Sequence, residues 1–174
     1  MIKLDNLDIN KFIKHTDHRG SFYEIPNFTK SQIYQSSVSI SNKNTIRGLH
    51  YQHKPEMGKQ INILNGSILE CIVDIRIGSN SFGKHIQIFC TPDNNSSVFI
   101  PPGFAHGFLS LEDNTKILYY QTAKHSVEGE GSINLFDEQL GISWPIAIQD
   151  CLISERDLKA ESIQSYRDRN IEWS

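Results

Sequence analysis

No apolar run in this 174-residue chain approaches membrane-spanning length, and the opening Met1-Ile2-Lys3-Leu4-Asp5 lacks the apolar segment of a secretory leader. The expectation is a cytoplasmic protein without a membrane partner. Basic excess is missing too. A net charge of −3 gives no footprint for nucleic acid. Charge runs are absent apart from a mixed stretch around Arg156-Asp157 and Arg167-Asp168-Arg169, which reads as a solvated face. Cysteine is scarce: Cys71, Cys90 and Cys151 form no C-x-x-C pair, and the first two fall inside apolar strand patterns. Buried thiols in a reducing compartment are expected, not a nucleophile. No repeat, low-complexity segment or linker divides the chain, so residues 1–174 read as a single domain.

What the chain does have is β-pattern with little interruption. The runs Gln32-Ile33-Tyr34, Lys59 to Leu64, Ser67 to Arg76, His85 to Phe89 and Lys116 to Tyr120 carry alternation or β-branched residues. Turn signals separate them at Asn65-Gly66, Gly78-Ser79-Asn80 and Pro92-Asp93-Asn94-Asn95. Many short strands at regular spacing predict an all-β sandwich or barrel, with Asn65-Gly66 as the sharpest hairpin signal. The tail differs. Ser154-Glu155-Arg156-Asp157 has the spacing of a helix N-terminus, with Ser154 as cap and Leu158, Ile163 and Tyr166 turned toward the barrel.

Two segments carry chemistry. Arg47-Gly48-Leu49-His50-Tyr51-Gln52 and Ile100-Pro101-Pro102-Gly103-Phe104-Ala105-His106-Gly107-Phe108 each embed a histidine among glycine and aromatic residues, as two walls of one pocket would. Gly48-x-His50-x-Gln52 and Pro101-x-Gly103-x-x-His106 resemble the paired motifs of the cupin superfamily, whose fold is a jelly-roll β-barrel. Metal-binding cupins use H-x-H with a following glutamate. Here Gln52 takes the second position and is a poor transition-metal ligand, while His53 on a regular strand would point away from His50. Glu56 is left as a further donor that can approach. A bound metal is not expected.

The resemblance is closer than superfamily level. Asp17-x-Arg19-Gly20, Arg47 to Gln52, Gly58-Lys59, Val73-Asp74-Ile75-Arg76, Ser81-Phe82-Gly83, Pro102 to Phe108, Ile142-Ser143-Trp144-Pro145 and Ser154-x-x-Asp157 occur in order. Together they resemble the dTDP-4-dehydrorhamnose 3,5-epimerase family of nucleotide-sugar epimerases, over nearly the whole chain. The resemblance implies a cupin jelly-roll barrel with a short C-terminal helical segment. It also implies epimerisation of a nucleotide-linked 4-keto-6-deoxy sugar at C3, C5 or both, without cofactor. Epimerising a carbon beside a ketone needs a base, an acid on the opposite face, and a cation or hydrogen-bond donor at the enolate oxygen.

By that resemblance His50 is the base, with Asp157 behind its other nitrogen to set the tautomer. Asp157 also sits where an acidic helix-capping residue would. Tyr119 matches the family's acid, and Tyr120 beside it packs in the wall. Lys59 belongs near the keto oxygen. Arg47 and His106 line the sugar and phosphate region, Gln52 joins them as a substrate contact, and Gln35 matches a position that reaches the nucleotide. Glu70 stands where the family usually has aspartate, as support for the catalytic groups. Asp74 and Arg76 read as a structural pair or barrel-rim contacts, not catalysts. Arg19 and Glu24, with Asp17, fall in the segment that in this family helps bind the nucleotide and meets a second subunit, so a homodimer is expected.

Two departures bear on the substrate. His15 and His125 stand where the family usually has aromatic residues, and Leu135-Phe136-Asp137 replaces its Trp-Asn-Asp. The alternatives are a single-centre epimerase on another nucleotide sugar, a 3,4-ketoisomerase on a related barrel (which the Arg47 to Gln52 motif disfavours), a metal-dependent cupin, and a non-catalytic sugar-binding cupin.

Overall fold

Alternation decides which side of each strand turns inward, and here it closes a sandwich. The computed structural model describes Leu4, residues 7–29 and residues 31–173; of the segment read for a leader, Met1 to Lys3 and Asp5 lie outside the described residues. One sheet has the order β1 (Asp8–Asn10), β9 (Ser97–Ile100), β6 (Lys59–Asn65), β11 (Thr115–Gln121), β4 (Gln35–Ser41). The facing sheet has the order β12 (Glu130–Ser132), β5 (Ile46–Gln52), β10 (Phe104–Ser110), β7 (Ile68–Asp74), β8 (His85–Cys90). The strands β2 (Ile13–Asp17) and β3 (Gly20–Glu24) form a separate two-stranded hairpin. Every pairing between these strands is antiparallel. The all-β jelly roll expected from the sequence is observed.

Between the sheets lies a core rich in isoleucine. Ile61, Ile63, Ile68, Ile72 and Ile117 are each at most 1 % exposed, packed with Val98, Phe104 and Phe108. Each such side chain removed from water contributes roughly 1.5–3 kcal/mol. A second cluster covers the outer face of the β5–β10–β7 sheet, where Leu49, Tyr51, Cys71, Val73 and Leu109 meet Leu135, Ile163 and Tyr166 of the C-terminal segment. That sheet is therefore buried on both faces, unlike an antiparallel sheet with one wet side. β10 is buried at every position.

Three local expectations are corrected. Asn65-Gly66 does not make a hairpin: β6 bonds to β9 and β11, whereas β7 bonds to β8 and β10. The turn is a corner that carries the chain from one sheet to the other, and its glycine is required because φ is +77° and a Cβ would overlap Thr115 Oγ1. Gln32 to Tyr34 is not strand; β4 starts at Gln35. The tail holds two short helices, α1 (Glu155–Leu158) and α2 (Ile163–Asp168), each capped by a serine. Because α1 ends after one turn, the helical phase does not run on to Ile163. Leu158 is 47 % exposed, while Ile163 and Tyr166 are buried as expected. The buried Cys71 and Cys90 thiols and the Asp74–Arg76 ion pair (2.7 Å) also match the sequence reading.

Two backbones approach closely between β5 and β10. Gly48 has φ +128°, and a Cβ there would fall 2.5 Å from Gly107 Cα and 2.8 Å from the His106 carbonyl oxygen. A Cβ on Gly107 would fall 2.5 Å from the Arg47 carbonyl oxygen. Gly48→Ala should therefore lower stability by about 3 kcal/mol or more, through overlap and backbone strain together. Gly78→Ala, at φ +94° with open space around it, should cost only about 1 kcal/mol. Thermal unfolding of the two variants checks the order, and a Gly48→Ala protein as stable as Gly78→Ala would contradict the packing argument.

Candidate active site

The inward positions of five strands meet in a cavity of about 170 Å³ lined by Ser37, Arg47, His50, Lys59, His106, Phe108, Tyr119 and Gln121. The sequence led us to expect the two histidine segments as two walls of one pocket, and they are not. His50 and His106 are cross-strand partners on β5 and β10, in one wall. The other wall is the facing sheet, which supplies Lys59 from β6, Tyr119 and Gln121 from β11, and Ser37 from β4. Tyr119 lines the cavity and Tyr120 does not, as the resemblance implied.

Each histidine is backed by a carboxylate. His50 Nε2 lies 2.8 Å from Asp157 Oδ1. Asp157 is also the third residue after the cap, its N–H donating to Ser154 Oγ at 3.1 Å, and the Gly48 N–H approaches its Oδ2 at 3.4 Å. Ser154 is the cap, and the Asp157 carboxylate meets His50 and the Gly48 N–H instead of acting as a capping group. Burial alone would raise its pKa, but the His50 hydrogen bond and charge, with the Gly48 and Ser154 contacts, outweigh that and hold the carboxyl below its ordinary value. The ionised Asp157 accepts the Nε2 proton of His50 and leaves Nδ1 as the basic atom.

The second pair lies deeper. His106 Nδ1 is 2.8 Å from Glu70 Oε1, and Lys59 Nζ is 3.4 Å from His106 Nε2. Burial pushes His106 well below its usual pKa, and the Lys59 and His50 charges push the same way, so the imidazole is neutral. Burial pushes the Glu70 carboxyl up, with the Lys59 cation opposing. Lys59 itself is lowered by desolvation, and the carboxylates of Glu130 and Glu70 resist the fall. With Lys59 as ammonium donating to Nε2, His106 carries its proton on Nδ1 and donates it to Glu70. Glu70 Oε2 is buried and has no hydrogen-bond partner among the described residues. Tyr119 Oη lies 3.0 Å from Ser39 Oγ, and burial pushes the phenol up to about 12. It stays protonated through the neutral range.

Sequence reasoning missed the support on β4. Ser37, Ser39 and Ser41 alternate inward and contact Gln121 (2.7 Å), Tyr119 (3.0 Å) and Arg47 (3.3 Å) in turn. The signal was present as S-x-S-x-S. Also missed were Phe108, Gln121, and the partners of His125 in a rim cluster: Glu130 meets His125 (3.1 Å) and Arg156 (2.9 Å), and its carboxylate is near enough to the cavity to act electrostatically on Lys59 and His50. Gln35 reaches this rim too, its Oε1 accepting the His125 N–H at 3.1 Å.

Gln52 is the correction. Its side chain is 2 % exposed and does not line the cavity, because its amide is occupied by the loops beside it. His15, Arg19 and Glu24 are not brought to the cavity within this chain. They lie on the exposed β2–β3 hairpin, with His15 paired to Glu24 (2.8 Å) and Arg19 to Asp17 (2.7 Å). His53 turns away from His50, as expected, and its ring contacts the Glu172 carbonyl at 2.8 Å. Among the described residues no three histidine, cysteine or acidic side chains converge as metal ligands. Among the same residues no helix is long and apolar enough to cross a membrane.

A family model described as dTDP-4-dehydrorhamnose 3,5-epimerase matches residues 2–165. The chain is 34 % identical over 151 residues to a dTDP-4-dehydrorhamnose 3,5-epimerase of Methanothermobacter thermautotrophicus, covering 82 % of each chain. It is 33 % identical over 158 residues to a dTDP-4-dehydro-6-deoxyglucose 3-epimerase of a Streptomyces species, covering 86 % of this chain and 80 % of the relative. Among solved structures it resembles a dTDP-6-deoxy-D-glucose-3,5-epimerase from Legionella pneumophila in complex with dTDP-4-keto-L-rhamnose, with TM-score 0.91, 31 % identity, and 99 % and 96 % of the two chains covered. It also resembles a 3'-monoepimerase from Streptomyces bikiniensis in complex with dTDP-quinovose, with TM-score 0.89, 27 % identity, and 98 % and 90 % covered.

The pairing of Asp157 has a consequence for acid stability. Its folded pKa lies below the 3.8 of a free carboxyl, so the unfolded chain takes up the proton first as pH falls. The stability contributed by Asp157 is fully present above that value and is lost as pH drops through the lowered one. The difference in urea midpoint between the wild type and Asp157→Asn should hold above roughly pH 5 and shrink as pH falls through 3.8 toward the lowered value. A difference independent of pH would show that the carboxylate charge contributes nothing to the fold.

Proposed function

The chain belongs to the dTDP-4-dehydrorhamnose 3,5-epimerase family, and from that premise we propose that it epimerises a nucleotide-linked 4-keto-6-deoxy sugar at C3, C5 or both. The observation that carries this reading is that a carboxylate-backed histidine and an un-ionised tyrosine face one cavity from opposite sheets. Inversion at carbon needs a proton removed from one face and returned to the other. His50, with Asp157 holding its Nε2 proton, removes the proton beside the ketone through Nδ1. The carbanion is delocalised onto the keto oxygen as an enolate. Lys59 supplies the cation there, and the Lys59–His106–Glu70 chain keeps that positive charge inside a dry wall. Tyr119 then donates its phenolic proton to the opposite face, with the Ser39 hydroxyl and the Arg47 cation favouring the phenolate left behind. The chemistry runs on the protein's own acid and base and needs no cofactor.

Relatives bearing names for one centre and for two differ little in overall fold from this chain. The number of centres is therefore a question for experiment. In deuterated water with dTDP-, GDP-, CDP- and UDP-linked 4-keto-6-deoxy sugars, NMR should show deuterium entering at C3, C5 or both. His50→Ala should lower that exchange about 10²–10⁴-fold. Tyr119→Phe should still exchange protons at His50's face while losing inversion. Wild-type protein that exchanges nothing, or exchange that survives in His50→Ala, would sink the assignment. A stoichiometric transition metal required for turnover would favour the metal-dependent rival instead.

The protein acts as a homodimer in this reading, in the cytoplasm, where three free thiols suit the reducing conditions. Two features support the second copy. An isolated two-stranded hairpin is at best marginal in water, yet β2–β3 pairs with neither sheet and leaves Ile13 51 % and Phe22 66 % exposed. The outward face of the edge strand β4 also shows Val38 and Ile40 at 55 % and 60 % exposure. The partner's hairpin would then bring its own residues 15, 19 and 24 toward the nucleotide. Val38→Asp with Ile40→Asp should shift the sedimentation coefficient from dimer to monomer. An unaltered dimer would place the contact on another face.

A further inference from the structure

Gln52 stands two residues along β5 from His50, yet its polar atoms are turned to two loops. Nε2 donates to the carbonyls of Pro55 (2.9 Å) and Lys124 (3.0 Å), and Oε1 accepts the Ser126 N–H (2.8 Å). Both N–H donors of the amide are thereby used, with its oxygen engaged as well. The segment 122–129 has no helix or strand of its own. Its ends are tied by backbone contacts, Thr122 N–H to the Gly58 carbonyl (3.0 Å) and His53 N–H to the Gly129 carbonyl (2.8 Å). Gln52 holds the middle.

That segment leads directly into Glu130 and carries His125, two members of the rim cluster. The cavity below the rim, at about 170 Å³, is smaller than the roughly 300 Å³ at which small-molecule pockets begin. A nucleotide sugar can place only its sugar ring inside, so its diphosphate and nucleoside must lie across the rim. We infer that Gln52 is a positioning residue for substrate affinity: it fixes the 122–130 segment so that His125 and Glu130 meet the nucleotide portion, and it does not serve proton transfer at His50. The identity of the ligand rests on the epimerase reading.

Three variants separate this role from a merely structural one. Gln52→Glu keeps an oxygen for the Ser126 N–H but offers no N–H to the two carbonyls. Gln52→Leu removes all three contacts at similar volume. Gly129→Ala disturbs the same loop from the other side, because a Cβ there would overlap the Lys54 carbonyl oxygen. The readouts are dTDP affinity by calorimetry, kcat and KM for a dTDP-linked 4-keto-6-deoxy sugar, and backbone amide exchange. The dTDP Kd and the KM should both rise about tenfold or more, with kcat kept within about threefold. Amide exchange should quicken at 122–130 and not in β5. Gly129→Ala should reproduce that split, and it decides the matter if the Gln52 variants fail to fold.

Unchanged dTDP affinity in variants whose loop amides exchange faster would overturn the inference. So would a fall in kcat with KM unmoved, unchanged exchange at 122–130, or a wild-type chain that does not bind dTDP. Failure of the epimerase reading shows separately, as absence of deuterium at C3 and C5 in the wild type, while dTDP affinity and amide exchange still report on Gln52.

Discussion

The contact between Gly48 and Gly107 is the constraint from which the site follows. Two backbones at that separation leave no space for a Cβ on either strand. The approach coincides with a register irregularity between His106 and Phe108, and the outcome is His50 directly opposite His106. From this seam two carboxylates diverge. Asp157 reaches His50 from α1, while Glu70 reaches His106 from β7, the next strand over. Two histidines in one wall thus acquire different environments. One is backed by a carboxylate held ionised and stands at the cavity's edge. The other is locked neutral in a dry recess.

The barrel interior is divided by the same arrangement. One end is filled by isoleucine and needs no hydrogen bonds. The other holds a lysine, an arginine, a tyrosine and two histidines, which would be costly to bury without partners. The alternating serines of β4 and the carboxylates behind the histidines meet that demand. They also hold the reactive groups in place without filling the space a sugar ring requires. Small inward side chains on β4 therefore serve the site twice, by what they bond and by the volume they leave open.

Membership of the family accounts for the shared machinery and leaves the differences to the rim. His125, Glu130 and Arg156 form that rim in this chain, and the exposed hairpin brings His15 to the same question of nucleotide recognition. An imidazole in place of a larger aromatic ring offers less stacking area and adds hydrogen bonding. The groups that line the cavity come from the two facing sheets, whereas His125 lies in a loop, Glu130 on β12, Arg156 on α1 and His15 on the separate hairpin.

Much of this was legible in the order of residues. Strand alternation announced a β-sandwich, and the Arg47 to Gln52 and Pro102 to Phe108 segments identified the two histidines that line the cavity, because each motif's neighbours are fixed by the backbone itself. Ser154 was legible as a cap, since capping is local. What could not be read were relations between strands. Asn65-Gly66 has the residues of a hairpin turn and forms a corner, because which sheet a strand joins is settled by its partners and not by the turn. The histidines share a wall for the same reason. Gln52 looked like a substrate contact from its place beside His50, and folding turned its amide to Pro55, Lys124 and Ser126, which are distant or unremarkable in the sequence. The chain's residue order was sufficient for the chemistry available and for the type of fold. Pairing across sheets, which depends on long-range burial of both faces of one sheet, assigned each polar group either to the reaction or to the frame that holds it.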